Sequence, residues 1–391
     1  MKKLLIIISL IITCSGCFNY SELNDYAIAT GMAIDKINNG YEVSFLISNL
    51  PKSSNTSGGK DYRTVVYSGT GKTILEAVKQ VGLISPKELY IGHLSVLIIS
   101  DNVAKDGINP VLEFLLQEPR SKKNFQVAIS KSNKAKDILS ITSPLTDFPS
   151  QNLATNLKTT SNLQGSVNAT DFNTVLYKLI NNGIDLTLNG FYIVGDIKSG
   201  AKNSNMETNK PNAYIKLTPL SIFKDDKLVG WANKNESKGI NIINNNIKEL
   251  YLNIKCDAGY VVVNTENIET KKYIDKNGNI TINTNGKASI NEINCNIDLT
   301  NQKNINKLEK KVESKIRELE LEAIELSKKY NSDLFGIGLM YYGKYPKKYK
   351  NISSFNEFYN TTKFKINNNF KISSSGSIKQ TLERIENEKN N

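Results

Sequence analysis

Apolar and polar positions give the two halves of the chain different textures. In the first half strands and helices alternate irregularly. YAIATGMAID (26–35) and GYEVSFLIS (40–48) read as strands joined by a turn at Asn38, Asn39 and Gly40. PKSSNTSGGKD (51–61) reads as a loop. The strand TVVYS (64–68) leads into the helix ILEAVKQVG, for which Thr73 is the N-cap and Glu76, three residues on, completes a capping box. LSVLIIS is a further strand, followed by a helix that starts at Asn109 with Pro110 in its first position. FQVAIS is a strand and NKAKDILS a short helix. Asp171 caps DFNTVLYKLINN, which Gly183 ends in the C′ position.

Residues 197–212, IKSGAKNSNMETNKPN, lose hydrophobicity and gather Gly, Ser, Asn and Pro. This composition predicts a linker between an N-terminal α/β region (17–196) and a strand-rich α+β domain (213–376), with a charged tail at 377–391. Beyond it, AYIKLTPLSIF and LVGWA form a hairpin about a KDDK turn. YIDK and NITI form another about Asn277 and Gly278, residues that tolerate the positive φ of a type I′ turn. KNINKLEKKVESKIRELELEAIELSKKY is one long amphipathic helix. Its stripe of Ile305, Leu308, Val312, Ile316, Leu319, Ala323 and Leu326 predicts packing against the domain's own sheet in preference to a partner's coiled coil. KFKINNNFKIS closes the pattern as an edge strand. The fold class is α+β, in more than one domain.

The N-terminus changes the picture. MKK, LLIIISLIIT and CSGC form a basic region, a short apolar run and small residues before a cysteine, which is an export signal over residues 1–16. The run is shorter than the ~20 apolar residues of a permanent span. Ser15 and Gly16 before Cys17 match a bacterial lipoprotein processing site, where the cysteine is diacylated on sulfur and becomes the mature N-terminus. Cys14 stands where such sites usually carry Leu. As the acylated residue itself Cys14 fits worse, because Thr13 precedes it. The competing reading is ordinary signal cleavage and secretion. Each buried lipid CH₂ is worth about 0.8 kcal/mol, so two chains on Cys17 would hold the protein on a membrane's extracytoplasmic face.

A net charge of +12 suits an anionic membrane surface or acidic partner loops. No dense Lys/Arg cluster is interleaved with aromatics, so nucleic acid is not an expected partner.

Candidate chemistry is sparse. With a single histidine and no Cys-x-x-Cys, a zinc site is not expected, and no cofactor is implied. His93 and Ser95 in YIGHLSVLII would share a strand face, but no nucleophile elbow accompanies them. A histidine hydrogen-bonded near a strand end is the better reading. Gly71, Lys72 and Thr73 resemble half of a phosphate-binding loop. Val66 occupies the place of its first glycine, so a helix cap fits better. Glu22 with Asp25 and Asp225 with Asp226 are acidic pairs, the latter expected to be solvated at a hairpin tip. Cys256 and Cys295 lie in alternating strands and either bridge or remain two buried thiols. No catalytic site is predicted, and the chain reads as a non-enzyme.

CFNYSELNDYAIATGMAID resembles the mature start of the Ger(x)C family, the lipoprotein C subunits of bacterial spore germinant receptors. Cys17, Glu22, Asn24, Asp25, Gly31, Ile34 and Asp35 carry the match, while Phe18, Asn19, Leu23 and Ala33 depart from it. GTGKTILEA, YIGHL, FKDDKLVGW and DLFGIGLMYYGKYPKKYK are similar landmarks in the same order. The resemblance implies mixed sheets flanked by helices in small domains. It also implies a non-enzymatic subunit on the outer face of the spore inner membrane, working with integral-membrane A and B subunits in nutrient-triggered germination. The competing class is a lipid-anchored solute-binding protein of a transporter, which would show repeated βαβ units in two lobes. Trp231, Tyr341, Tyr342 and Tyr345 are candidate contact residues or core.

If Thr73 is a cap, Thr73→Ala costs about 1 kcal/mol in denaturant unfolding. A variant of unchanged stability that loses nucleotide affinity would overturn that reading.

Overall fold

A computed structural model describes residues 25–48, 64–146, 148–256, 259–295, 297–299 and 301–374. The signal segment 1–16, Cys17, Glu22, the loop 51–61 and the tail 377–391 lie outside the described residues.

β1 (Tyr26–Ile37) and β2 (Gly40–Ser48) form the expected antiparallel hairpin, and β3 (Thr64–Gly71) pairs with β2. β4 (Glu88–Tyr90) and β5 (Val96–Ser100) run parallel to β1, and β6 (Gln126–Ser130) runs parallel to β5. β7 (Thr187–Gly195) continues in parallel. β8 (Ala213–Lys224) and β9 (Lys227–Trp231) finish as antiparallel strands. The result is a nine-stranded mixed sheet in the order β3-β2-β1-β5-β6-β7-β8-β9, with β4 beside β1.

Helices cover both faces of this sheet. They are α1 (Ile74–Gly82), α2 (Asp101–Asp106), α3 (Asn109–Gln117), α4 (Ala135–Ser140), α5 (Pro149–Gln164) and α6 (Phe172–Ile180). α1, α2, α3 and α6 share one core with Met32, Leu97 and Val127, whereas α4 and α5 share another with Ala33, Ile98 and Ala128. Double cover explains why VLIIS and QVAIS are buried at every position instead of alternating.

The cap at α1 forms with a shifted partner. Thr73 Oγ1 accepts the Glu76 N–H at 3.2 Å, but the Glu76 carboxylate takes the N–H of Lys72 at 2.8 Å, where a capping box would use that of Thr73. α6 ends at Ile180, before the expected Asn182. Gly183 does take a positive φ of 84°, but as part of the following turn. α5 is absent from the expected elements: its Asn, Thr and Ser obscure the buried Leu153 and Leu157.

Residues 197–212 hold α7 (Ile197–Gly200) and a 3₁₀ turn, and they connect two antiparallel neighbours, β7 and β8. Buried Asn205 pins the connection by bonding Thr142 O at 2.9 Å and Ala213 O at 3.0 Å. The nine-stranded sheet therefore runs through the expected boundary, and β8 and β9 extend the N-terminal sheet.

The second sheet has the order β10-β11-β12-β13, formed by β10 (Leu250–Cys256), β11 (Gly259–Ile274), β12 (Ile280–Asn294) and β13 (Phe364–Ser374). Of the Asn277–Gly278 pair, Gly278 alone takes a positive φ, 85°. The loop closes through Gly278 N–H to Asp275 O at 3.1 Å and Asp275 N–H to Asn279 O at 3.0 Å. That is the three-residue, glycine-bulged pattern in place of type I′. Before this sheet comes α8 (Lys234–Ile243), and one face is covered by α9 (Gln302–Lys329). Strand burial accordingly alternates, with Tyr251, Asn253 and Lys255 outward. Six of the seven stripe residues of α9 are buried, and Ile305 is half-buried. β13 is the expected edge strand, paired in parallel with β12. Its outward groups are met by α9: Glu313 and Glu309 accept Phe370 N–H (3.3 Å) and Ile372 N–H (3.1 Å), and Arg317 donates to Ile366 O (2.8 Å). An edge so occupied offers few free groups to another strand.

Cys256 and Cys295 form a disulfide with their Cα atoms 6.5 Å apart. The bridge joins the end of β10 to the chain beyond β12, on either side of the β11–β12 hairpin. It closes a sequence separation of 39 residues. Cys256→Ala with Cys295→Ala should lower unfolding stability by about 2–4 kcal/mol, read as a fall in denaturant midpoint. An unchanged midpoint would show that the bridge does not restrain the unfolded chain.

Candidate functional site at the seam between the sheets

Among the described residues, a dense buried polar constellation lies where the turn before β7 meets the turn after α9. Both turns contain glycine and aspartate outside any regular element, and each brings its aspartate inward. Asp185 N–H donates to Asp333 O at 2.8 Å, and Asp333 N–H donates back to Asp185 Oδ2 at 2.7 Å. Asp185 also accepts Asp225 N–H at 3.0 Å and the Lys224 ammonium at 3.2 Å. Asp333 Oδ1 accepts Ile337 N–H at 3.0 Å and Oδ2 accepts Gly338 N–H at 2.7 Å. It thereby caps α10 (Ile337–Lys344), which is followed by α11 (Pro346–Lys350) and α12 (Phe355–Thr361). Gly183 and Gly338 stand back to back: a Cβ on Gly338 would lie 2.6 Å from the Gly183 Cα.

Burial sets the electrostatics. Asp333 is 1% exposed, and desolvation pushes its carboxyl up to about 6 although three backbone N–H groups favour the ionised form. Lys272 donates to Phe335 O at 2.6 Å and Asn244 Oδ1 at 3.1 Å, and burial lowers its ammonium to about 8. Lys178 is likewise pushed down to about 8 by burial, against the pull of Asp185. Ser332 Oγ donates to Phe223 O at 2.6 Å, and Ser327 shares a 2.5 Å hydrogen bond with the buried Tyr359 hydroxyl. A polar cavity of about 140 Å³ adjoins the seam, lined among others by Lys178, Asn181, Asp185, Asp225 and Asp226. Within the seam the aspartate oxygens and the Lys224 and Lys272 ammonium groups bond to one another, to Asn244 and to backbone. What this arrangement does chemically is hold two chain segments in register.

The residues singled out from sequence fall elsewhere. Cys17, the expected lipid attachment residue, lies outside the described residues. His93 is exposed in the turn before β5, its ring 5.6 Å from that of Tyr90, so it does not share a strand face with Ser95. Ser95 instead uses its backbone, donating to Thr30 O and accepting from Gln126 N–H. Gly69 and Gly71 lie against α1: a Cβ on Gly69 would run into the Ala77 carbonyl, so the glycines serve a helix–strand approach. Asp226 is not merely solvated; its Oδ2 accepts Asn109 N–H at 3.3 Å at the start of α3. Tyr341 is core, Tyr345 packs against it, and Tyr342 is exposed. Trp231 is half-buried beneath the Lys131 ammonium, 4.6 Å from the ring centroid. Asp185 and Asp333 were not singled out from sequence, and their separation of 148 residues hides the pairing.

Two family models cover the chain. One, described as "Spore germination protein N-terminal domain", matches residues 19–191, and the other, "Spore germination B3/ GerAC like, C-terminal", matches residues 218–376. The chain belongs to this spore germination family. It is similar to spore germination protein KC of Bacillus subtilis (strain 168), 25% identical over 352 residues, covering 87% of this chain and 86% of that protein. It is also similar to spore germination protein GerQC of Bacillus cereus, 24% identical over 390 residues, covering 96% and 99%. The crystal structure of the GerBC protein shares the fold, with a TM-score of 0.50 at 17% identity over 91% of this chain and 100% of that one. In this spore germination protein, Asp185 lies in the first matched region and Lys224, Asp225 and Asp333 in the second. The seam thus ties the two family regions together.

Asp333 makes the seam pH-sensitive. Its carboxyl ordinarily titrates near 3.8 and here near 6, so the folded state holds the proton more tightly. The stability this contributes is complete below about pH 4 and is lost as pH rises through 6. Asp333→Asn keeps one acceptor but points an amide at Gly338 N–H, costing about 1–3 kcal/mol. In denaturant unfolding the deficit of the variant should be largest at and below about pH 4 and narrow towards pH 7. A deficit that widens with pH would contradict the assignment.

Proposed function

We propose that this protein is the non-enzymatic, lipid-anchored C subunit of a spore germinant receptor, acting with integral-membrane A and B subunits in nutrient-triggered germination. The observation that carries this reading is the pair of spore germination family models that together span both halves of the chain in order. The names of the relatives, spore germination proteins KC and GerQC, support it. The leader ending in Ser15-Gly16 directly before Cys17 supports acylation of Cys17 and a place on the outer surface of the spore inner membrane. Among the described residues no helix is long and apolar enough to cross a membrane; in this reading the acyl chains on Cys17 supply the attachment. Among the same residues no cluster of three or more His, Cys, Asp or Glu side chains is positioned to hold a metal ion. One nine-stranded sheet joined to a four-stranded sheet does not offer the two βαβ lobes of a transporter's solute-binding protein.

Cys17→Ala should move the protein from the spore membrane fraction to the soluble fraction and slow nutrient-triggered germination. A variant that stays in the membrane and germinates fully would sink both claims. Purification of the tagged wild-type protein from spore membranes should bring down two multi-spanning subunits; a permease with an ATPase would favour the transporter class.

A further inference from the structure

The start of β1 fixes where any N-terminal tether meets the folded part. Tyr26, Ala27 and Ile28 pair in parallel with Glu88, Leu89 and Tyr90, so the first described residues are built into the sheet at one end. Eight Cα-to-Cα steps separate that end, at Asp25, from Cys17. At full extension they reach about 28 Å. This end of the sheet therefore stays close to whatever surface holds Cys17.

The same end carries exposed aliphatic side chains. Leu83 and Ile84, adjacent in the turn between α1 and β4, are 79% and 55% exposed, and Leu116 at the exit of α3 is 47% exposed. Arg120, just beyond α3, forms an ion pair with Glu88 of β4, which brings the two exits together. Acidic groups on this rim are engaged: Glu88 by the Arg120 side chain, and Glu118 by the Arg120 N–H at 3.3 Å. Lys79, Lys87 and Lys122 are exposed, and among the described residues no ion pair occupies them. Tyr26, Tyr90 and His93 form a row of rings with centroids 5.4 and 5.6 Å apart. Single exposed aliphatics are ordinary on a protein surface. An adjacent Leu-Ile pair with a third leucine, free lysines and amphipathic rings, at the tethered end of the chain, is the composition of an interfacial membrane contact.

We propose that this end of the nine-stranded sheet docks on an anionic lipid surface. Leu83 and Ile84 enter the boundary between headgroups and acyl chains, and Lys79, Lys87 and Lys122 face the lipid phosphates. The proposal rests on Cys17 as the tethered residue. A tether of this length keeps the local lipid concentration high, so a contact too weak to hold a free protein suffices to orient this one. β1 then runs away from the bilayer, and the opposite end of α1 stands about 13 Å further out.

The test separates docking from natural acylation. The chain from Cys17 onward is coupled through the Cys17 thiol to a maleimide lipid in phosphatidylglycerol-containing vesicles. Tryptophan is introduced as Ile84→Trp or, as the control at the outer end of α1, Lys72→Trp, with Trp231 as a constant background. With brominated lipids, Ile84→Trp should be quenched at least about twofold more than Lys72→Trp and its emission should shift to the blue, because the interfacial depth is about 5–10 Å. Equal quenching of the two, or none in either, overturns the proposal, and absence of quenching is the result expected if this face meets a protein instead. Failure of acylation in spores would appear only in the fractionation of wild-type protein and leaves the vesicle result readable.

Discussion

The reciprocal hydrogen bonds between Asp185 and Asp333 are the constraint on which the arrangement of the two sheets depends. Each aspartate gives its N–H to the other, one to a carbonyl and one to a carboxylate, across 148 residues of sequence. Through Lys224 and Asp225 the first is tied to the β8–β9 hairpin, and through Ile337 and Gly338 the second caps α10. Ser332 binds Phe223 O in the same seam. A buried charge costs several kcal/mol unless its partners are complete. Each substitution in this set therefore leaves other polar atoms unpaired and acts on both halves of the protein at once.

The cores on either side of the seam are built differently. The nine-stranded sheet is apolar on both faces and buries β5 and β6 entirely between two layers of helices. The four-stranded sheet is apolar on one face, which α9 covers together with α8, α10 and α12. That helix also carries polar duties. Glu320, fully buried, accepts Thr284 Oγ1 at 2.6 Å and Asn368 Nδ2 at 2.9 Å, and burial raises its carboxyl above the ordinary value. Glu309 and Glu313 occupy the outer donors of β13. One face of α9, 28 residues long, thus supplies hydrophobic burial, and the face beside it closes an open sheet edge.

Much of this was legible in the sequence wherever a local pattern has one physical cause. The strand hairpin at 26–48, the α9 stripe and the edge strand were visible because burial periodicity is written in side-chain order. α5 was hidden because few of its residues are apolar, although Pro149 at its first turn and Gly165, with φ of 63°, bracket it. The linker at 197–212 was inferred from composition, but composition reports exposure of the chain and not which strands it joins. The seam was illegible for a different reason. An isolated aspartate in a glycine-containing turn is an ordinary cap, and nothing local announces that its partner lies 148 residues away. Sequence does not decide the disulfide either, since spacing does not place Cα atoms.

The segments that carry the family resemblance are places where backbones approach closely. In GTGKTILEA, Gly69 lies against the Ala77 carbonyl, and the Gly-Lys-Thr that mimics a phosphate loop is the turn that lets α1 settle on β3. In DLFGIGL, Gly338 lies against Gly183 while Asp333 caps the helix behind it. FKDDKLVGW contributes Lys224 and Asp225 to the same seam. Packing geometry of this kind is intolerant of a single added methyl group, so it marks a sequence as sharply as a catalytic motif does. Motifs that look chemical in the sequence thus prove to be architectural in the fold.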